Sequence, residues 1–105
     1  MQKWVTRVPT RFNDGSEIPK DKLEEVWYLI AKTFGGSSID GPGRGIWIDS
    51  KGKVYDEQTY HVSVACDENQ IALAREIVTQ IGKLLDQKAM YFELSSGSVE
   101  ILPTE

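Results

Sequence analysis

The side chains in this sequence that could do chemistry are one histidine, His61, a few arginines and carboxylates, and several aromatic residues. His61 could form an acid–base pair with Glu93 or Glu57, because an imidazole titrates near neutrality and a carboxylate can orient it. A lone histidine on a β-strand more often has a structural role, in which it forms a hydrogen bond with a neighbouring residue. With no second histidine in the chain, no metal-ligand cluster and no cofactor are predicted.

A glycine-rich stretch forms the second candidate site. Five of the nine glycines lie between residues 34 and 48, and the stretch is predicted to be a loop over residues 35–45. Phosphate-binding loops run from a strand to a helix, so that the helix N-terminus meets the anion. Gly41, Gly43 and Gly45 instead follow a helix pattern and precede a strand pattern. They are therefore predicted to serve backbone conformation and close approach to the sheet edge.

Composition limits the class of protein. The chain has 105 residues, 40% hydrophobic and 27% charged, with a net charge of −4, which predicts a single domain over residues 1–105. The negative charge argues against nucleic acid as a partner, since that affinity depends on clustered cations. The lone Cys66 fits a reducing compartment. The longest apolar run is far too short to cross a membrane, and a cytoplasmic location is predicted.

Hydrophobic periodicity predicts the elements that must position these residues. Two apolar stripes at helical spacing predict helices from Pro19 to Phe34 and behind a capping box at Asp67–Gln70. Residues alternating between apolar and polar predict strands. The predicted strands are Trp4–Phe12, Ile46–Ile48 with a short return at Val54–Tyr55, Thr59–Cys66, Lys88–Leu94 and Val99–Leu102.

The order of these elements is β-α-β-β-α-β with an added C-terminal strand. This order predicts an α+β, ferredoxin-like βαββαβ sandwich, with two helices on one face of an antiparallel sheet and a C-terminal hairpin extension. Right-handed crossovers give the strand order 4-1-3-2. One face of the sheet is therefore expected to lie open.

Strand alternation assigns an unusual set of polar and aromatic side chains to this open face. We expect them to form an interface or a ligand site, with Arg44 of the glycine loop beside them. The predicted interface or ligand-binding residues are Arg7, Arg11, Arg44, Trp47, His61, Ser63, Tyr91 and Glu93.

Three functions are consistent with this set. The first is a small non-enzymatic interaction domain that forms a homodimer or higher homo-oligomer through the open face, because Trp, Tyr and Arg are enriched at the centres of protein interfaces. The second is a small-ligand or nucleotide-binding protein. In it the glycine loop 35–45 adjoins arginines that hold an anion, and Trp47 and Tyr91 stack on the ligand. The third is a small enzyme that uses His61 with a carboxylate, and the residues favour binding over catalysis.

The middle third of the chain also resembles a family of short bacterial and phage-borne proteins. The resemblance rests on Phe34-Gly35-Gly36-Ser37, Gly45-Ile46-Trp47, Gly52-Lys53-Val54 and Glu57. It implies the fold predicted above and a prokaryotic or viral origin. For a phage-borne protein it also suggests an inhibitor that occupies a host protein or sequesters a signalling ligand, and it transfers no catalytic residue.

Overall fold

The structure, a computed structural model, describes residues 1–105. It contains five strands and two helices. They are β1 (Gln2–Pro9), α1 (Lys20–Phe34), β2 (Ser38–Ile48), β3 (Val54–Cys66), α2 (Ile71–Leu84), β4 (Ala89–Leu94) and β5 (Val99–Pro103), with a short 3-10 helix at Glu68–Gln70 before α2.

The five strands form one antiparallel sheet in the order β2-β3-β1-β4-β5. This confirms the predicted α+β, ferredoxin-like arrangement, with β5 added beside β4 as the C-terminal extension. No helix is long and apolar enough to cross a membrane.

Helix boundaries follow from local sequence. Helix α1 ends at Gly35, whose φ of +91° suits glycine and whose amide donates a hydrogen bond to the carbonyl of Ala31. Before α2, the amide of Asp67 donates to the side-chain oxygen of Gln70 at 2.9 Å, which completes the predicted capping box. Both helices therefore begin or end at the residues that their capping signals indicate.

The core lies between the helices and one face of the sheet. Trp4 is fully buried, with its ring 5.3 Å from that of Phe34 and 5.9 Å from that of Phe92, so it joins β1 to α1 and β4. The alternation predicted for Thr59–Cys66 is present in β3. Within residues 59–66, the even-numbered side chains such as Val62 and Val64 face the core, whereas the odd-numbered ones lie on the open face.

The first strand is shorter than predicted. It ends at Pro9 rather than Phe12, because proline has no amide hydrogen to continue the ladder. Beyond it, Arg11 forms only an isolated bridge with Glu17. Arg11 thus lies past the end of the sheet and not on its open face.

The prediction of a glycine loop over residues 35–45 is wrong for most of its length. Strand β2 begins at Ser38, and Gly43 and Gly45 pair with Thr59 and Glu57 of β3. A register shift between Asp40 and Gly43 accommodates the intervening proline. Because β2 is an edge strand with a bulge, it tolerates glycine and proline that a central strand would exclude.

The short return at Val54–Tyr55 and the strand Thr59–Cys66 are also one continuous element, the 13-residue β3. Together β2 and β3 form a long hairpin whose end extends beyond Pro9, the last residue of β1. This extension supplies one side of the site described below.

One glycine is required by packing rather than by backbone angle. A Cβ placed on Gly82 of α2 would overlap the side chain of Thr104 and lie 2.8 Å from Cγ of Met90. We expect Gly82→Ala to lower the free energy of unfolding by about 1–3 kcal/mol, the usual cost of overpacking, as measured by urea denaturation. Gly36→Ala is the matched control, because nothing lies within 4 Å of a Cβ there. Equal stability of the two variants would contradict this account.

Candidate functional site

The open face of the sheet collects the polar side chains that strand alternation assigned to it. Arg7 of β1 pairs with His61 of β3, and Val5 lies between Ser63 of β3 and Glu93 of β4. The pairing places Arg7, His61, Ser63 and Glu93 on one face, and their roles stay predictions.

Tyr91 and Arg7 form the centre of this face. The Tyr91 hydroxyl donates a hydrogen bond of 2.5 Å to Oε1 of Glu93, and the Arg7 guanidinium lies 5.0 Å from the centre of the Tyr91 ring. This hydrogen bond, together with burial and the charge of Glu93, raises the pKa of the Tyr91 hydroxyl. Tyr91 therefore stays protonated at neutral pH. Nε of Arg7 is buried and has no hydrogen-bond partner within the protein.

A groove of about 530 Å³ crosses this face, and we call it the open-face groove. Its floor is formed by the central strand β1 and the neighbouring strand β3. One wall comes from the extended β2–β3 hairpin, and the opposite wall comes from the β4–β5 side. The floor residues are Arg7, Pro9 and Thr59; the hairpin wall has Trp47, Asp49, Tyr55 and Glu57; the opposite wall has Gln87, Ala89, Met90, Tyr91 and Ile101.

Two aromatic rings dominate the hairpin wall. Trp47 and Tyr55 are direct cross-strand partners and both are partly exposed. The Tyr55 hydroxyl lies 3.4 Å from one carboxylate oxygen of Asp49, and the other oxygen accepts hydrogen bonds from the amides of Lys51 and Lys53. These hydrogen bonds, that from Lys53 first, lower the pKa of Asp49. The wall therefore carries negative charge beside its aromatic surface.

A second cavity of about 670 Å³ lies past the end of β1, and we call it the basic chamber. Its lining includes the cations Arg11, Arg44, Lys53 and Lys88. Arg44 forms a bidentate ion pair with Asp56, at 2.8 Å and 2.6 Å. This hydrogen bonding raises the pKa of Arg44 and lowers that of Asp56.

The structure brings some predicted site residues together and separates others. Arg7, Trp47 and Tyr91 line the open-face groove, and Arg11 and Arg44 line the basic chamber. The other predicted site residues line neither cavity. They are His61, Ser63, Glu93, Gly41, Gly43 and Gly45.

Sequence reasoning missed Asp49, Tyr55, Thr59 and Gln87 as groove residues. Tyr55 and Thr59 continue the alternation that places His61 on the open face, so that signal was present in the sequence. It was obscured because β3 was divided into two pieces. Gln87 follows α2, and no pattern in the sequence indicates its position.

Cys66 is an unreactive core residue in this fold. Its side chain is buried, and burial, followed by the negative charge of Asp67, raises the pKa of the thiol. The thiolate that a nucleophile requires is therefore disfavoured.

The fold and these cavities define a class: a small α+β protein with a ferredoxin-like sheet and a concave polar and aromatic site on the uncovered face. No protein-family model and no curated protein sequence matches the chain. Solved structures with the same fold do exist. A phage SAM lyase in complex with S-methyl-5′-thioadenosine superposes with a TM-score of 0.75, at 13% identity, over 97% of this chain and 88% of that one.

Two further structures are similar. The phage SAM lyase in its apo state gives a TM-score of 0.73 at 14% identity, covering 99% of this chain and 90% of that one. The divalent cation tolerance protein CutA1 from Thermus thermophilus gives 0.57 at 11% identity, covering 98% and 84%. At these identities the likeness shows the fold.

The comparison corrects the functional hypothesis drawn from the sequence. A non-enzymatic interaction domain that self-associates through its open face was expected. The similar structures instead include an enzyme held with a small molecule, over nearly the whole chain. Of residues 35–45, those from 38 onward belong to β2, and Arg44 is the one that lines a described cavity, the basic chamber.

Proposed function

We propose that this protein is a lyase that binds S-adenosylmethionine in the open-face groove and cleaves it to S-methyl-5′-thioadenosine. The observation that carries the proposal is the lining of the groove. It combines aromatic rings, carboxylates and an arginine, on a fold shared with a phage SAM lyase seen with that thioether.

The aromatic part of the groove suits the adenosine moiety. Trp47 and Tyr55 are side by side on one wall, and Tyr91 is on the other. A purine ring stacks on exposed aromatic faces with a gain of about 1–3 kcal/mol per base. Arg7 lies on the floor of the groove, where its guanidinium can donate a hydrogen bond to a ribose oxygen.

The acidic part of the groove suits the sulfonium. Asp49 and Glu57 lie on the same wall as the two rings, and a sulfonium carries a positive charge that both carboxylates and aromatic faces attract. The Glu57 side chain forms no ion pair and no hydrogen bond within the protein, so its carboxylate is available to a cationic ligand.

The chemistry of the cleavage is compatible with these residues. When the bond from sulfur to the aminobutyrate carbon breaks, its electron pair goes to sulfur, and the leaving group is a neutral thioether. A neutral leaving group needs no proton, so the reaction requires no general acid and no histidine. In a lyase reaction the carbon regains an electron pair from within the substrate. The pair comes either from a neighbouring C–H bond, whose proton passes to a basic side chain or to water, or from the substrate's own carboxylate, which forms a C–O bond and releases no proton.

The test is incubation of the purified protein with S-adenosylmethionine, followed by chromatography and mass spectrometry. We expect S-methyl-5′-thioadenosine to accumulate as the sulfonium is consumed. When the reaction is run in water labelled with oxygen-18, the four-carbon product that forms first should contain no oxygen-18. If S-methyl-5′-thioadenosine formed no faster with the protein than without it, the proposal would be overturned. If the first four-carbon product were homoserine carrying the label, the enzyme would be a hydrolase and not a lyase.

Removing the stacking surface provides a second test. We expect Trp47→Ala to weaken the binding of S-methyl-5′-thioadenosine by about five- to hundredfold, from the loss of about 1–3 kcal/mol of stacking, as measured by calorimetry. Ile48→Ala is the control, because Ile48 is exposed on the same strand and lines neither cavity. Equal losses in both variants would show that the hairpin, and not the Trp47 ring, affects binding.

A further inference from the structure

The basic chamber and the open-face groove adjoin each other. Four residues, Pro9, Tyr55, Glu57 and Gln87, line both cavities. A ligand longer than an adenosine can therefore extend from the groove past Glu57 into the chamber.

The chamber concentrates positive charge in a protein that is negative as a whole. It contains four of the chain's 12 lysines and arginines but only two of its 16 carboxylates, Asp56 and Glu57. Asp56 is engaged by Arg44. Apart from this ion pair, the chamber lining has three cations, Arg11, Lys53 and Lys88, and one carboxylate, Glu57, which lies where the chamber joins the groove.

None of these three cations is engaged by a bidentate ion pair. Nη1 of Arg11 donates a hydrogen bond of 2.9 Å to the carbonyl of Gly15, and Nη2 lies 3.7 Å from Glu17, with both side chains mostly exposed; an exposed ion pair of this kind contributes little. The Lys53 ammonium lies 4.9 Å from the centre of the Tyr55 ring. The Lys88 side chain makes no hydrogen bond or ion pair within the protein. Each therefore has donors that a bound anion can accept.

We infer, on the basis of the proposed function, that the basic chamber binds the α-carboxylate of the substrate's aminobutyrate chain, with Arg11 and Lys88 as the donors. The adenosyl group then occupies the open-face groove and Glu57 faces the sulfonium between them. The order of aromatic surface, carboxylate and cations along the two cavities matches the order of purine, sulfonium and carboxylate along S-adenosylmethionine. The chamber thus selects ligands that retain the amino-acid end.

The inference is tested with two thioethers that lack the sulfonium. S-adenosylhomocysteine retains the aminobutyrate carboxylate, whereas S-methyl-5′-thioadenosine does not. We expect the double variant Arg11→Ala with Lys88→Ala to bind S-adenosylhomocysteine about tenfold more weakly than the wild type, from the loss of two exposed ion pairs. Its binding of S-methyl-5′-thioadenosine should change less than twofold. Calorimetry measures both.

The control is Lys20→Ala with Lys32→Ala, which removes the same charge from α1, outside both cavities. The charge-preserving variant Arg11→Lys with Lys88→Arg should retain most of the affinity for S-adenosylhomocysteine. Parallel losses for both thioethers, no loss for either, or an equal loss in the control would overturn the inference and leave the proposed function standing. Wild-type protein that binds neither thioether and does not cleave S-adenosylmethionine would overturn both.

Discussion

Glu57→Gln is expected to reduce kcat/KM for S-adenosylmethionine by about ten- to hundredfold, because the substitution removes the negative charge that faces the sulfonium. The magnitude corresponds to about 1.5–3 kcal/mol for a contact with a charged group. Glu57 lines both cavities, and its side chain forms no ion pair and no hydrogen bond within the protein, so the substitution should leave stability nearly unchanged. Rates of thioether formation measure the effect.

The ligand series separates the role of the charge from other roles of Glu57. Binding of neutral S-methyl-5′-thioadenosine should change little in Glu57→Gln, and binding of S-adenosylhomocysteine should fall less than binding of S-adenosylmethionine. The control is Glu24→Gln, which makes the same change at an exposed position of α1. If S-adenosylhomocysteine and S-adenosylmethionine lost affinity equally, Glu57 would bind the ammonium group instead of the sulfonium.

Trp4→Ala is expected to lower the free energy of unfolding by about 3–5 kcal/mol, the usual cost of removing a large buried ring. Trp4 is fully buried and packs against Phe34 and Phe92. A loss of this size is a large share of the stability of a small domain. Urea denaturation monitored by far-UV circular dichroism measures it.

The same substitution at an exposed tryptophan is the control. Trp47 is 44% exposed, so Trp47→Ala should cost less than about 1 kcal/mol of stability while it weakens ligand binding. The two tryptophans are thus expected to separate stability from function. If Trp47→Ala destabilised the protein more than Trp4→Ala, the assignment of core and open face would be wrong.

The helices could be predicted closely because their determinants are local. Leu23, Val26 and Ile30 repeat at the spacing of one helix face, and Gly35 marks the end of α1 with a conformation that glycine adopts without strain. The face assignment of β3 was equally accessible, since neighbouring strand residues point to opposite sides. Neither feature depends on distant parts of the chain.

The glycine-rich segment shows where local signals fail. Glycine and proline near Gly41 and Pro42 disfavour a strand on intrinsic grounds. The segment becomes part of β2 because β3 provides a ladder of hydrogen bonds on one side and a bulge absorbs the proline. Pairing with the neighbouring strand β3, and not the intrinsic preference of any single residue, decided this outcome.

Local sequence patterns are enough to predict the element order, the two helices with their caps, and the alternation that places Arg7, Tyr91 and His61 on the uncovered side of the sheet. The three-dimensional arrangement of the strands is needed to see that Glu57 and Tyr55 line one groove with Arg7, that His61 lies outside it, and that Arg11 and Lys88 line one chamber. The physical reason is that parity sets the face of a sheet on which a side chain lies. Strand register, the extension of the β2–β3 hairpin and the ends of β1 and β4 set which side chains on that face become neighbours.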